Sequence, residues 1–128
     1  MATAPSFNPN TPANGPAEAR KNRSLTDSFE PGSTFKVFTL ASALELGAVT
    51  AADRFFCENG SYRYAGRVIH DTHRYGWLTA PDVVKFSSNI GITKINDRMD
   101  GTRFYDMIRA FGFGSRTGIE LQGEVPGL

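Results

Sequence analysis

The sequence EPGSTFK, residues 30–36, decides how the rest of this chain is interpreted. It places Ser33 and Lys36 three residues apart, directly after a proline and a glycine. Apolar residues follow at near-helical spacing, so we predict a helix from Ser33 to Leu46 that ends at Gly47. Because residues i and i+3 share a helix face, the serine and lysine side chains are expected to be neighbours.

Ser33 and Lys36 are a candidate nucleophile and its base. A serine hydroxyl is a poor nucleophile at its own pKa and needs a neighbouring base. A neutral lysine amine can act as that base, and both burial and the positive end of a helix dipole lower a lysine pKa. The backbone N–H of Ser33 is a candidate for one half of an oxyanion hole. The alternative is a serine that starts a helix and a lysine on the surface, because so short a motif recurs by chance.

A second polar motif, Ser87-Ser88-Asn89, lies between two predicted helices. The first helix covers residues 79–86 with Thr79 as its N-cap, and the second covers residues 90–99. A hydroxyl group both donates and accepts hydrogen bonds, which is what a proton relay requires. Taken alone, the motif is better explained as a break between two helices.

The remaining segments predict one more helix and little sheet. Residues 103–111 predict a third helix, capped by Thr102. Residues 2–7 form a short apolar stretch that predicts a strand, and the segments on either side of Asn59-Gly60 predict a small hairpin or an irregular excursion. Residues 113–128 predict a loop with one strand at most. Five phenylalanines are expected in the core: Phe35, Phe38, Phe104, Phe111 and Phe113.

The composition is that of one modest globular domain. The chain has 128 residues, of which 40% are hydrophobic and 21% are charged, and its net charge is +1. So balanced a charge gives no reason to expect a nucleic acid or an anionic membrane as a partner. No apolar run predicts a transmembrane helix, and the N-terminus does not have the pattern of a signal peptide.

Both motifs and their surroundings resemble one enzyme family. Residues 22–36 resemble the segment around the nucleophile of class B penicillin-binding proteins, the D,D-transpeptidases that cross-link bacterial peptidoglycan. Residues 5–10 resemble the strand and Asn-Pro-Asn turn that precede this segment in the family. Ser87-Ser88-Asn89 matches the family's S-x-N motif, whereas class D β-lactamases and their sensor relatives usually carry S-x-V. Within class B, residues 30–36 look most like the division-type enzymes.

This resemblance implies a role for each motif residue. Ser33 would attack the substrate carbonyl with Lys36 as its base, and Ser87 would relay a proton to the leaving amine. Asn89 would bind the substrate peptide and help to hold Lys36. The substrate would be a peptidoglycan stem peptide, β-lactams would acylate Ser33, and neither a cofactor nor a metal is expected. In the full-length protein we expect a membrane anchor, cell-division membrane proteins as partners, and a location at the periplasmic or outer face of the cytoplasmic membrane.

The family's third motif, Lys-Thr-Gly, does not occur in this sequence. Arg116-Thr117-Gly118 is rejected as a substitute, because residues 111–121 resemble the family segment between the second and third motifs. Residues 1–128 are therefore interpreted as a partial transpeptidase domain, truncated before the K-T-G strand. The expected fold is the mainly helical half of an α/β penicillin-binding/β-lactamase-like domain, with few short strands. The alternatives are an inactive fragment or non-catalytic binding module, or a β-lactam sensor or β-lactamase relative.

Two other features of the sequence are candidate sites. His70-Asp71-Thr72-His73 has the spacing of a partial zinc site, but the sequence offers no convincing third and fourth ligand. The resemblance instead implies a structural or substrate-groove role for this segment. Cys57 is the only cysteine, and it is expected to be a buried or half-buried thiol because nothing nearby indicates a base.

Overall fold

The computed structural model describes residues 4–127, which divide into two compact units. One unit combines the described residues up to Glu30 with those from Gly112 onward, and the other covers Pro31–Phe111. The first unit consists of short turns: the 3-10 helices Pro12–Asn14 and Ala17–Arg20, and the helix α1, Arg23–Thr26.

The first unit contains little regular structure. Its two sequence segments are joined by the backbone N–H of Val125, which donates to the carbonyl of Leu25 over 2.8 Å. The predicted strand at residues 2–7 is wrong for residues 4–7, which are not hydrogen-bonded into a sheet, while residues 2 and 3 lie outside the described part. Residues 113–127 are loop throughout, as four of their glycines with positive φ require: Gly114, Gly118, Gly123 and Gly127.

The predicted long helix is confirmed, with one change at its start. A 3-10 turn, Gly32–Thr34, leads into α2, Phe35–Glu45. Gly47 has φ +66° and its N–H donates to the carbonyl of Leu44, while the N–H of Ala48 donates to the carbonyl of Ala43. This pair of bonds is a Schellman motif, which explains why the helix ends where the glycine predicted.

The next two helices each begin directly after an N-cap residue whose side chain accepts a backbone hydrogen bond. Helix α3, Ala80–Lys85, begins after Thr79, whose side chain accepts a hydrogen bond from the N–H of Asp82 as predicted. Helix α4, Asn89–Asn96, ends three residues before the predicted limit.

Helix α5, Gly101–Ala110, starts two residues earlier than predicted. Its cap is Asp100 rather than Thr102, because Asp100 Oδ1 accepts from the N–H groups of both Thr102 and Arg103 at 3.0 Å. A carboxylate that takes two orphan donors is a better cap than a hydroxyl already within the first turn.

The described strands form two antiparallel pairs: β1, Arg54–Phe56, with β4, Trp77–Thr79, and β2, Ser61–Tyr64, with β3, Arg67–His70. The predicted hairpin around Asn59-Gly60 is therefore wrong in its pairing, although strands do lie on both sides. The hairpin turn is Ala65-Gly66, where both residues have positive φ, as a tight two-residue turn requires. Asn59 belongs instead to a 3-10 turn, Glu58–Gly60.

The buried core lies within the unit Pro31–Phe111, between α2, α3, α4 and the β1–β4 pair. It contains Ala43, Val49, Phe55, Cys57, Leu78, Ala80, Val83, Ile90 and Ile95. The predicted phenylalanine core is wrong, because four of the five rings are half-buried and Phe111 is 44% exposed. The buried face of α2 instead carries one lysine and three small residues: Lys36, Thr39, Ser42 and Ala43.

Candidate active site

Lys36 is buried beside the second motif. It lies in the first turn of α2 and is only 7% exposed. Its Nζ donates to the carbonyl oxygen of Ser87 at 2.6 Å, to Ser87 Oγ at 3.0 Å and to Asn89 Oδ1 at 2.7 Å. A lysine ammonium has three N–H donors, so the second motif satisfies all of them without a carboxylate. Lys36 and the second motif, which begins 51 residues later in sequence, therefore form one cluster.

Two opposing effects act on the Lys36 amine. Burial lowers its pKa, because an ammonium loses hydration that neutral acceptors only partly replace. The negative charge of Asp71 acts in the opposite direction and raises the pKa. Burial is the larger effect, so the pKa of Lys36 lies below its ordinary value. A lysine in this state is easier to use as a base.

Ser87 has an unusual backbone. Its φ is +56°, in the left-handed region that residues with a side chain rarely adopt. The turn is held on both sides, since the N–H of Ser87 donates to the carbonyl of Val84 and that of Ser88 to the carbonyl of Val83. In this conformation the carbonyl and the hydroxyl of Ser87 both face Lys36. Strained backbone of this kind is concentrated at functional sites.

Asn89 is the first residue of α4, and its side-chain amide has partners on both sides. Oδ1 accepts from Lys36, and Nδ2 donates to the carbonyl of His70 at 2.8 Å. Only one orientation of the amide fits these two partners. An amide nitrogen carries two N–H donors, so one remains for a further acceptor.

Ser88, the middle residue of the motif, is fully buried beneath it. Its hydroxyl donates to Asp71 Oδ2 at 2.6 Å and accepts from the N–H of Gly91 at 2.8 Å, which caps α4. The sulfur of Cys57 lies 3.4 Å from the same hydroxyl. The motif is therefore anchored from below through its middle residue and presents the other two toward Lys36.

Ser33 is the one predicted residue that the hydrogen bonds do not bring into the cluster. It lies in the 3-10 turn before α2, its side chain is exposed, and its hydroxyl makes no hydrogen bond within residues 4–127. Gly32 precedes it with φ +58° and open space where a side chain would be. An exposed hydroxyl one turn from a buried lysine is accessible to a substrate from solution.

The contact of Asp71 with the second motif was not predicted, because the resemblance implied only a structural or substrate-groove role for residues 70–73. Asp71 follows β3, and no spacing rule relates residue 71 to residues 88–90. With its oxygens bonded to the second motif, Asp71 does not combine with His70 and His73 into a metal site, and residues 4–127 contain no cluster of three potential ligands. Cys57 is buried, as predicted, and burial raises the pKa of its thiol.

Comparison with known proteins identifies the family. The family model described as the penicillin binding protein transpeptidase domain matches residues 1–128. The chain belongs to this family. The resemblance to class B penicillin-binding proteins is confirmed by the relatives it matches.

Two curated relatives and one solved structure match this chain over most or all of its length. The chain is 40% identical to Peptidoglycan D,D-transpeptidase FtsI of Escherichia coli K12 over 128 residues, which is all of this chain and 21% of the relative. It is 34% identical to the probable peptidoglycan D,D-transpeptidase PenA of Neisseria flavescens, covering 32% of that protein. The apo TP domain of Burkholderia pseudomallei penicillin-binding protein 3 superposes with a TM-score of 0.82 at 38% identity, over 85% of this chain and 33% of that one.

The chain thus spans about a fifth to a third of the length of these three relatives. The expected fold class is confirmed, because the matched structure is a transpeptidase domain and this chain is helix-rich with few short strands. Within residues 4–127, no helix has the length and apolar character needed to cross a membrane.

Proposed function

We propose that this chain carries the nucleophile and the proton-transfer groups of a serine D,D-transpeptidase that cross-links peptidoglycan stem peptides. The observation that carries the proposal is the bonding of Lys36: a buried amine held by three neutral acceptors of the second motif. A structural lysine in a protein interior is normally paired with a carboxylate. The names of the curated relatives give the reaction class.

In the proposed first step, Ser33 Oγ attacks the penultimate D-Ala carbonyl of a stem peptide. Neutral Lys36 takes the hydroxyl proton as the C–O bond forms. The backbone N–H of Ser33 donates to the developing oxyanion. The C–N bond then breaks, and the proton passes from Lys36 through Ser87 Oγ to the departing D-Ala amine. This leaves an ester between Ser33 and the donor peptide.

In the second step, an amine of a neighbouring stem peptide attacks the ester carbonyl. Its proton returns through Ser87 and Lys36 to Ser33 Oγ, which restores the enzyme and forms the cross-link. Asn89 binds the substrate peptide with the N–H of Nδ2 that His70 does not use. β-Lactams follow the first step only, because the opened ring stays attached to Ser33.

We place residues 1–128 within a transpeptidase domain whose Lys-Thr-Gly strand lies beyond Leu128. For that full-length protein we also propose a membrane anchor, cell-division membrane proteins as partners, and a location at the periplasmic or outer face of the cytoplasmic membrane. The rival function is a binding module or inactive fragment. The absence of Lys-Thr-Gly from this sequence favours the rival for the isolated chain, since half of the oxyanion hole would be missing.

The test is covalent labelling by a fluorescent penicillin, read on a denaturing gel. The full-length gene product, its Ser33→Ala variant and the 128-residue chain are compared, with Ser28→Ala as a matched variant at a nearby exposed serine. We expect labelling of the full-length protein and of Ser28→Ala but not of Ser33→Ala. Labelling of the isolated chain would show that two motifs suffice. A folded full-length protein that does not label would overturn the proposal.

A further inference from the structure

Asp71 lies where strand β3 ends and reaches the start of α4. Its Oδ1 accepts from the N–H groups of Asn89 at 2.5 Å and Ile90 at 3.1 Å. Its Oδ2 accepts from Ser88 Oγ at 2.6 Å. One carboxylate therefore binds three consecutive residues, two of which belong to the second motif.

These contacts fix Asn89 at two points. Asp71 holds its backbone N–H, and the carbonyl of the preceding His70 holds its side-chain Nδ2. The other end of that side chain, Oδ1, accepts from Lys36. A shift of β3 relative to α4 would therefore move the acceptor of Lys36 directly.

The position of Asp71 also explains why a charge is tolerated there. The first N–H groups of a helix have no partner within the helix, and the helix dipole favours an anion at this end. Three donors share the carboxylate, so it is satisfied without an ion pair to Lys36. Its charge still acts on the lysine through space.

We propose that Asp71 is a positioning residue for the acylation reaction, which holds the Ser87-Ser88-Asn89 turn in register with Lys36 and sets the charge that the lysine experiences. This inference rests on the proposed function. It assigns two separable effects to one side chain. The shape of the carboxylate places the acceptors of Lys36, and its negative charge favours the ammonium form.

The surroundings of Lys36 make the charge effect attributable to Asp71. The turn before α4 contributes Ser87 and α4 contributes Asn89, and both are neutral. The end of β3 contributes Asp71, while His70 contacts the cluster through its backbone carbonyl. Among the described residues, Asp71 is thus the charge whose removal should change the proton affinity of Lys36.

The sign of the effect follows from the direction of each influence. The Asp71 carboxylate raises the pKa of Lys36, so its neutralisation lowers that pKa further. Acylation requires neutral Lys36 and rises with pH as the lysine loses its proton. Replacement of Asp71 by asparagine should therefore move the rising limb of the acylation rate to lower pH.

The experiment measures the second-order rate of penicillin acylation against pH in the full-length protein. Asp71→Asn keeps an oxygen for the N–H groups of Asn89 and Ile90 but removes the charge. Asp71→Ala removes both, and a displacement of reacting groups by about 1 Å costs on the order of 100-fold in rate. Asp106→Asn removes an exposed charge from α5 and serves as the control.

We expect Asp71→Asn to acylate with its pH midpoint displaced downward. Asp71→Ala should show the same displacement and in addition lose about 100-fold in its maximal rate, whereas Asp106→Asn should match wild type. An Asp71→Asn protein that folds and keeps the wild-type midpoint would overturn the inference, because a purely structural anchor changes thermal stability without moving a pH profile. If Asp71→Ala does not fold, Asp71→Asn alone decides. A wild-type protein that does not label would instead refute the proposed function.

Discussion

Two lysine side chains at helix α4 have different surroundings. Lys36 reaches the start of α4 from α2 and meets only neutral oxygens of Ser87 and Asn89. Lys94 lies on α4 itself and donates to Glu58 Oε1 at 2.5 Å and to the carbonyl of Phe56 at 2.8 Å. Its Nζ also lies 4.7 Å from the centre of the Tyr62 ring.

The difference lies in what stabilises the positive charge. At Lys94 a carboxylate and an aromatic face both contact Nζ, so this lysine connects α4 to the 3-10 turn and to β2. At Lys36 neutral acceptors satisfy the N–H donors without a matching charge, and burial lowers the pKa. Lys94 is therefore held by a charged partner, whereas Lys36 is arranged as a group that can give up its proton.

Exchange of each lysine for arginine should separate the two roles most strongly. A guanidinium stays protonated and cannot act as a base. Lys36→Arg should therefore lower the penicillin acylation rate of the full-length protein by roughly 100-fold to 10,000-fold, the usual contribution of general-base catalysis. Lys94→Arg keeps the charge near Glu58 and should stay within a few fold of wild type. Similar losses in both variants would contradict a base role for Lys36.

The packing beneath the Lys36 acceptors can be broken at Gly91. A Cβ at this position would lie 2.5 Å from Val83 Cγ2 and 3.1 Å from Ser88 Oγ, so α3 and α4 would have to separate. Gly91→Ala should cost about 1–3 kcal/mol in the free energy of unfolding, which is typical of an overpacked core. Urea denaturation followed by circular dichroism measures this cost.

Gly101→Ala is the matched control, since Gly101 also lies in a helix but faces open space. It should leave stability unchanged or raise it by up to about 1 kcal/mol. Equal destabilisation by the two alanines would mean that the α3–α4 contact is looser than described.

Removal of the Glu58 carboxylate that Lys94 contacts should change the free energy of unfolding less than Gly91→Ala does. Both side chains are partly exposed, and such ion pairs contribute about 1 kcal/mol or less. Glu58→Gln is therefore expected to lower the unfolding free energy by at most about 1 kcal/mol, and to leave acylation unchanged. A large loss of acylation in Glu58→Gln would show that the two lysine environments are coupled along α4.

At Lys36 a cationic donor meets neutral acceptors, whereas at Tyr64 a neutral donor meets the carboxylate of Asp97. The hydrogen bond to the Asp97 carboxylate raises the pKa of the Tyr64 phenol. Its contribution to stability is present below the ordinary tyrosine pKa and is lost as the pH rises through the raised value. Asp97→Asn should bring the Tyr64 transition to lower pH in an absorbance titration of the phenolate. No change relative to wild type would argue against this contact in solution.

Local signals predicted local structure well. Gly47 predicts where α2 ends and Thr79 predicts where α3 begins, because a capping residue acts within a few residues of itself. The phenylalanine pattern of α2 was misread, since small residues and Lys36 occupy the face turned toward the core. Spacing alone cannot tell which side of a partly exposed helix is buried.

Long-range pairing was beyond the sequence. Asn59-Gly60 has the composition of a hairpin turn, but β1 pairs with β4, about twenty residues later. The hairpin turn lies instead at Ala65-Gly66, between β2 and β3. The position of Asp71 against the second motif depends on that same hairpin, so no spacing rule could find it. The roles of Ser87 and Asn89, including the contact of Asn89 with Lys36, came from the resemblance and not from the spacing of the residues, and the folded chain places both side chains against Lys36.

The left-handed backbone of Ser87 sets stability against the proposed proton relay at a single position. A non-glycine residue in this conformation costs roughly 1–2 kcal/mol that glycine would not incur. Selection of variants for heat resistance alone would therefore favour glycine at residue 87, with the loss of the hydroxyl that faces Lys36. A library screened for both thermostability and penicillin labelling would retain serine there, and the residue enriched at position 87 would report which of the two properties had been selected.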